Sequence, residues 1–354
     1  MQQHKKLGIA VALLPLYFII KYLGQYPEFI ETYYSNGLYP ILSYCFRFSF
    51  GWLPFSFGDV FYTLSIIYLT RWFFLNFKRI YKDTKNWIID VFAVTTIIYF
   101  TFHLFWAMNY YRKPLHENLN LKADYSTEEL IETTKILIEK SNFYHLQLAP
   151  NDTSMVLFKL TKADVMSKTP TGYKVLEKTH PHLKYTPTSL KKSLLSYPLT
   201  LMGFSGYLNP LTNEAQVNAC IPVYKFPTTC AHEIAHQLGY AAENEANFIG
   251  FLASVNNPDP YFKYSGYTFA LRHCLGELYR RDPSLYENVS TKINPGIYKN
   301  YQEVSNFWAS HKNITEPLFR ETYNSYLKAN NQEKGMDSYS YVVALYVNYF
   351  ISKK

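Results

Sequence analysis

The chain has 354 residues, of which 48% are hydrophobic, and a formal net charge of +8 at pH 7. This apolar content excludes an intrinsically disordered protein. The positive charge would suit nucleic acid, but no zinc finger, RNP motif or helix-turn-helix pattern accompanies it. Several basic residues flank apolar runs instead, which is typical of membrane proteins, and we expect no nucleic-acid partner.

Three apolar runs lie in the first third of the chain, at about residues 7–24, 60–77 and 91–108. Each is close to the roughly 18–20 residues that span a bilayer, so we predict a membrane domain with three transmembrane helices over residues 1–111. No small-residue cleavage site follows the first run, which favours an uncleaved anchor over a signal peptide. The aromatic stretch from Tyr39 to Phe57 is interrupted by prolines and glycine and is interpreted as interfacial or re-entrant.

Loop charge predicts the orientation in the cytoplasmic membrane. The loop between the second and third runs is rich in basic residues, namely Lys78, Arg79, Lys82 and Lys85. Because positive loops stay in the cytoplasm, we expect the amino terminus inside and residues 112–354 as an extracytoplasmic domain.

The remainder of the chain has the pattern of a mostly helical α+β domain. Ser126 and Glu129 form a capping-box pattern, and we predict a helix from there to about Lys140. Residues between Ser193 and Val223 are punctuated by proline and glycine and are expected to be strand-like or looped. Further helical patterns cover Gly172–Lys178, Tyr261–Tyr279, Gln302–His311, Glu316–Ala329 and Ser338–Ile351.

The most informative stretch is His232-Glu233-Ile234-Ala235-His236. Residues four apart share one face of a helix, so the two imidazoles can converge on one Zn²⁺. Glu233 would then face the water site and act as the general base. The alternative is an amphipathic helix whose histidines face solvent. The small and apolar flanking residues favour a buried active-site helix.

A catalytic zinc needs a third protein ligand and one open position. Glu243 lies seven residues after His236, about 10 Å further along one continuous helix and too far to share the metal. A turn at Gly239 would bring a new helix back toward the histidines. We favour Glu243 as the third ligand, with Glu245 as the alternative, and Asn247 would hydrogen-bond a ligand from the same helical face.

This arrangement, H-E-x-x-H followed by Glu243-x-x-Ala246-Asn247, resembles the gluzincin type of metallopeptidase. The resemblance implies a zincin-like fold, His232, His236 and Glu243 as ligands and Glu233 as base. Only six residues separate His236 from Glu243, which is shorter than is usual for gluzincins. Gly239 is similar to the glycine turn of metzincins, but their third ligand would fall at Ala242, which cannot bind metal.

A second resemblance covers most of the chain. The three amino-terminal apolar segments, the stretch from Met108 to Arg112, the region from His232 to Asn247 and residues Gly335 to Tyr341 resemble an uncharacterised bacterial membrane-protein family. That family is known only as a domain of unknown function, and the resemblance implies an inner-membrane location without indicating a substrate.

Other candidates carry weaker signals. The segment from Gly206 to Val217 would supply the edge strand that binds extended substrate. Glu214 and Asn218 would either contribute to substrate binding at this strand or be ordinary solvated residues of a loop. Four tyrosines are candidates for stabilising an oxyanion, namely Tyr264, Tyr267, Tyr339 and Tyr341. Ordinary packing, loop or interfacial roles are expected for His273, His180, His182 and His103. Cys220 and Cys230 would be able to pair in an exported domain, and two ordinary thiols are an equal alternative.

The expected function is therefore a membrane-anchored zinc metallopeptidase that cleaves a peptide or protein substrate near the bilayer surface. The alternative is a non-catalytic envelope scaffold or sensor with a structural or degenerate zinc site.

Overall fold

A computed structural model describes residues 2–332, 335 and 341–353. The described chain is a mostly helical α+β fold with one small sheet, as predicted. Its amino-terminal part consists of seven α-helices and one π-helical segment over residues 30–38: α1 (Gln2–Val11), α2 (Leu13–Leu23), α3 (Pro27–Phe29), the π-helix (Ile30–Leu38), α4 (Tyr39–Phe50), α5 (Phe57–Asn76), α6 (Arg79–Lys82) and α7 (Thr84–Phe105).

Two helical stretches in the described chain are long and apolar enough to cross a membrane, Gln3–Leu23 and Thr84–Phe105. The expectation of three such helices was wrong. Helix α5 has 20 residues, but Asp59 and Arg71, together with its tyrosines and threonines, lower its mean hydropathy. Two apolar helices, one of them near the amino terminus, give weak support for membrane association. The stretch expected to be interfacial or re-entrant is mainly α4.

The carboxyl-terminal part begins after a 3₁₀ turn at Ala107–Tyr111. The predicted capping box is present, since Ser126 and Glu129 exchange hydrogen bonds at the start of α9. A second capping box, formed by Thr161 and Asp164, starts α10 well before the predicted residue 172. The helices are α8 (Leu115–Asn118), α9 (Thr127–Leu148), α10 (Lys162–Leu176), α11 (Ser196–Leu201), α12 (Phe226–Gln237), α13 (Glu243–Asn256), α14 (Pro260–Arg281), α15 (Pro283–Ser290), α16 (Pro295–Ser310), α17 (Glu316–Ala329) and α18 (Val342–Ile351).

The sheet has three short strands, β1 (Leu190–Lys192), β2 (Gly206–Asn209) and β3 (Glu214–Val217), in the order β1-β3-β2. Strand β3 is central, parallel to β1 and antiparallel to β2, with Gly206 opposite Val217. The hairpin between β2 and β3 turns through Asn213, whose φ of +50° is tolerated by asparagine. Strand β2 is therefore an edge strand, and both strands of the hairpin pack on α12.

The main core lies where α12, α13 and α14 meet. Ala231, Ile234 and Ala235 project from α12 into this core and meet residues such as Phe248 and Ile249 of α13. Each fully buried Ile or Phe side chain contributes about 1.5–3 kcal/mol to folding relative to exposure. The apolar flanks of the H-E-x-x-H motif thus hold α12 inside the protein.

Candidate metal centre

Helix α12 places His232 and His236 one turn apart on the same face, with ring centroids 4.6 Å from each other. His236 is buried and His232 is largely buried. The interpretation of these histidines as a solvent-facing pair therefore does not match their environment. Their imidazoles instead face a cleft between α12, β2, α14 and α17.

A turn after α12 brings the third member of the cluster, Glu243, close to the two histidines. Helix α12 ends at Gln237, and Gly239 adopts a φ of +89°, a backbone conformation that residues other than glycine rarely adopt. Helix α13 then begins at Glu243 and returns along α12. His232 Nε2 lies 3.3 Å from Glu243 Oε2, and His236 Nε2 lies 3.7 Å from Glu243 Oε1.

These three side chains form a set of potential metal ligands. One nitrogen or oxygen of each lies within 4.8 Å of the other two, which is the spacing that donors around a single ion require. Two histidines and one glutamate also form a donor set that is typical of catalytic zinc. The residues present therefore fit the metal that the sequence motif predicts.

Close packing of the two helices makes this convergence possible. Gly250 of α13 lies against the backbone of α12, and a Cβ there would be 3.0 Å from the His232 nitrogen and 3.2 Å from its Cα. Gly250 is two turns after Glu243. A larger residue at this contact would separate the helix that carries Glu243 from the helix that carries both histidines.

The charges of the cluster are strongly coupled. Burial opposes ionisation of Glu243, but the neighbouring His236 and His232 outweigh it and hold the pKa of Glu243 well below its usual range. Burial would lower the pKa of His236, yet Glu243 and Glu233 raise it to about 9. The pKa of His232 is lowered by burial and by His236. The shifts of Glu243 and His236 both follow from the close approach of the carboxylate to the imidazoles.

Glu233 lies beside the cluster without joining it. Its side chain is buried, and its Oε2 has no hydrogen-bond partner in the structure. Gly206 of the edge strand β2 lies directly against it, since a Cβ there would be 2.5 Å from Glu233 Oε1. Burial, and then the charge of Glu243, raises the pKa of Glu233 to about 8 against the opposing effect of His236.

Hydrogen bonds orient the candidate ligands. The Tyr240 carbonyl lies 2.7 Å from His236 Nδ1, and the Tyr323 hydroxyl donates to Glu243 Oε1 at 2.5 Å. Asn247 lines the same cleft as His232, and its predicted hydrogen bond to a ligand stays a prediction. Such contacts fix the geometry of metal ligands. Tyr323 carried no sequence signal, because it lies 80 residues after Glu243 in a chain with 34 tyrosines.

Glu245, the alternative third ligand, points elsewhere. Its Oε1 accepts a hydrogen bond of 2.6 Å from the backbone N–H of Leu115. Burial raises the pKa of Glu245 to about 7, and the nearby Arg112 opposes that effect. The structure therefore brings Glu243, and not Glu245, together with the two histidines.

The end of α12 is capped by residues from the amino-terminal part of the chain. The last carbonyls of a helix have no partner within it. Here the Tyr39 hydroxyl donates to the Gln237 carbonyl at 2.8 Å, and Trp106 Nε1 donates to the His236 carbonyl at 3.1 Å. Arg112 donates to the Gly239 carbonyl at 2.9 Å. Residues on both sides of the expected boundary at 111/112 thus contact the candidate site.

The cluster lies in a cleft of about 1320 Å³. Tyr264, Tyr267 and Tyr341 do not line this cleft, and Tyr339 lies outside the described residues. Glu214 and Asn218 do not line it either. Glu214 accepts hydrogen bonds from the first N–H groups of α5, and Asn218 donates to the Phe204 carbonyl.

The remaining candidates from the sequence have ordinary contacts. His273 lines the cleft and packs on Phe269 and Tyr346, and His103 is buried against the Tyr99 carbonyl. The rings of His180 and His182 touch each other outside the cleft. Cys220 is exposed and Cys230 is buried, and both are free thiols.

Residues 34–347 match a family described as "Protein of unknown function (DUF3810)". The chain belongs to this family. The matched region includes both the capping residues Tyr39 and Trp106 and the candidate metal-ligand cluster, and it extends across the expected boundary at 111/112. No curated protein and no solved structure matches the chain significantly.

Proposed function

We propose that this DUF3810 protein is a membrane-anchored, zinc-dependent metallopeptidase with a zincin-like active site. The convergence of His232, His236 and Glu243 around one point, with Glu233 beside it whose Oε2 has no hydrogen-bond partner, carries the proposal. A structural metal site has no need of this second carboxylate, whereas a hydrolytic site needs a base next to the metal.

Zinc held by His232, His236 and Glu243 would supply a Lewis acid that makes water acidic near neutral pH. Glu233 would accept the proton from the attacking water and return it to the leaving amine. Its buried position and raised pKa suit both halves of this transfer. Tyr323 and Asn247 would hold Glu243 and His232 in place.

The edge strand β2 gives a means of holding a substrate. Among the described strands, β2 has a partner on one side only, and its first residue, Gly206, lies against Glu233. An extended peptide that adds to this free edge would run past the catalytic carboxylate. The cleft is large enough for several residues of such a peptide.

The arrangement of the amino-terminal helices supports an extracytoplasmic site. Lys6 of α1 pairs with Asp90 near the start of α7 at 2.7 Å, and Gly24 at the end of α2 lies against Tyr111 just after α7. The α1–α2 stretch and α7 therefore run parallel. Helix α5, although not apolar enough to be a candidate span, runs back beside them, since Trp72 near its end stacks on Trp87 near the start of α7.

Basic residues cluster at one end of this helical bundle, and the candidate metal centre lies at the other, next to Trp106. By the positive-inside rule the basic end lies in the cytoplasm. The amino terminus would then be inside, and the cleft would open outside at the bilayer surface. A bilayer and a membrane-proximal peptide or protein are the partners that this placement implies.

The first experiment measures zinc in the full-length protein purified in detergent. We expect about one zinc per chain in the native protein and in Glu245→Gln, and almost none in the His232→Ala/His236→Ala double variant or in Glu243→Gln. Glu245→Gln is the matched control because both glutamates are buried near the start of α13. A folded native chain that takes up no supplied zinc would refute the proposal.

The second experiment tests hydrolysis with a quenched-fluorescence peptide library. Glu233→Gln is expected to keep its zinc and to lose cleavage. Cleavage that persists in this variant would show that Glu233 is not the base, and zinc binding without any cleavage would favour a structural metal site.

A further inference from the structure

The charges that line the cleft are unevenly distributed. Among the described residues, the only carboxylates in its lining are Glu233 and Glu243, both of which belong to the candidate metal centre. All the other charged side chains there are basic, namely Lys225, Arg272, Arg280 and Arg320. Apart from the metal centre itself, the cleft therefore presents positive charge to whatever enters it.

Three of these cations lie close together. Lys225 immediately precedes α12, and Arg272 and Arg280 lie two turns apart on α14. Burial and then the charges of Arg272, Lys225 and Arg280 lower the pKa of the adjacent His273 to about 4. Burial and the charge of Arg272 also lower the pKa of Lys225 to about 8. Each of these effects requires the positive groups to be near one another.

Two of the cations, Lys225 and Arg272, form no ion pair within the described residues, although the charge of Glu233 acts on Lys225. Lys225 Nζ donates to Ser205 Oγ at 2.7 Å and lies over the Trp308 ring, while the Arg272 guanidinium lies over the Tyr301 ring. No ion pair joins either of them to Asp or Glu in the part of the chain that the structure describes. Arg280 differs, because Glu277 pairs with it at 2.6 Å.

An unpaired cation in a partly desolvated cleft is costly, and an incoming anion would relieve that cost. Lys225 precedes Glu233 by eight residues, which is about 12 Å along a helix. Its ammonium hydrogen-bonds Ser205, the neighbour of Gly206, which lies against Glu233, and the charge of Glu233 acts on it. An extended peptide advances about 3.3 Å per residue, so Lys225 lies within about four residues of the reacting bond.

We propose that Lys225 and Arg272 form a subsite for a carboxylate of an acidic peptide substrate, within about four residues of the cleaved bond. That the ligand is a peptide rests on the proposed peptidase function. The carboxylate belongs either to an Asp or Glu side chain or to the chain end, and both would accept charge-assisted hydrogen bonds from these two residues.

The test measures peptide binding separately from cleavage. Full-length Glu233→Gln protein in detergent is titrated into three fluorescein-labelled dodecapeptides, and fluorescence anisotropy is recorded. The first peptide is neutral and amidated, the second carries three Glu in place of three Gln, and the third is the neutral sequence with a free carboxyl terminus. A charge-assisted hydrogen bond corresponds to about a tenfold change in Kd, and we expect the acidic peptide or the free-ended peptide to bind at least that much more tightly than the neutral one.

Added Lys225→Met and Arg272→Gln substitutions should reduce this preference to below twofold. A charge-retaining Lys225→Arg/Arg272→Lys pair should keep it. Arg281→Gln is the matched control, because Arg281 is on the same helix but pairs with Glu277 outside the cleft and should leave the preference unchanged.

The outcomes separate the two proposals. A preference for the acidic side chains or for the free chain end supports the subsite and identifies the source of the carboxylate. Equal binding of all three peptides, or a preference that survives the Lys225→Met/Arg272→Gln change, refutes it. Cleavage of the neutral peptide by the native chain would support the peptidase function whether or not the binding test supports the subsite. Conversely, a failure of cleavage would not abolish a charge preference in binding measured in the Glu233→Gln background.

Discussion

Replacement of Gly250 by alanine tests the packing that assembles the candidate metal centre. The added Cβ would lie 3.0 Å from the His232 nitrogen, 3.2 Å from its Cα and 3.3 Å from the Thr228 carbonyl oxygen, whereas ordinary contacts begin at 3.4 Å. The opposing atoms are backbone and cannot rotate away. Helices α12 and α13 would therefore have to separate by a few tenths of an ångström.

The expected cost combines two opposing effects. Overpacking of this kind destabilises proteins by about 1–3 kcal/mol, while alanine gains up to about 1 kcal/mol over glycine inside a helix. We expect the thermal midpoint of the detergent-purified protein to fall by about 2–5 °C. Because Glu243 moves with α13, the zinc affinity should fall about tenfold as well.

Gly276→Ala provides the matched control. Gly276 lies inside α14, and an added Cβ there would meet nothing within 4 Å. The same substitution should raise the midpoint by about 1–3 °C and leave zinc affinity unchanged. If Gly250→Ala were as stable as Gly276→Ala and bound zinc equally well, the close helix contact would not be what positions Glu243.

Three further predictions concern individual contacts. Tyr323→Phe should weaken zinc binding about tenfold, because it removes the hydroxyl that orients Glu243. Tyr326→Phe is the control and should not weaken it, because it loses only a neutral hydrogen bond to another tyrosine. Equal zinc affinities of the two variants in a competition titration would contradict this prediction. Glu31→Gln should lower the free energy of unfolding by about 3 kcal/mol, because it leaves the buried Arg112 without its ion-pair partner. An unchanged thermal midpoint would count against a structural role for the Glu31–Arg112 pair. Lys225→Met should raise the thermal midpoint at pH 7, since the folded chain binds this proton less tightly than the unfolded chain. The free energy of unfolding of the native chain, relative to that of the variant, should then rise between a pH of about 8 and 10.5. A difference in the free energy of unfolding that does not change with pH would refute the lowered pKa of Lys225.

Features that depend on local spacing were predicted from the sequence. The i,i+4 histidines, the turn at Gly239 and the start of a new helix at Glu243 all follow from helix geometry and glycine's conformational range. The capping box at Ser126 is equally local. The count of membrane helices was wrong because apolar runs were judged by length, whereas the charges and polar aromatics of α5 reduce its mean hydropathy.

Only the tertiary structure decided between Glu243 and Glu245, because both are first-turn carboxylates and the difference lies in which one faces α12 and which one faces Leu115. The same holds for Tyr323 and for Trp106, which reach the site from 80 and 130 residues away. Contacts over such separations depend on how whole helices pack, and no rule based on the spacing of residues along the sequence predicts them. The sequence by itself determined which residues are candidates for metal chemistry, because that signal depends on local spacing; the packing of α12, α13 and α17 decided which side chains surround them.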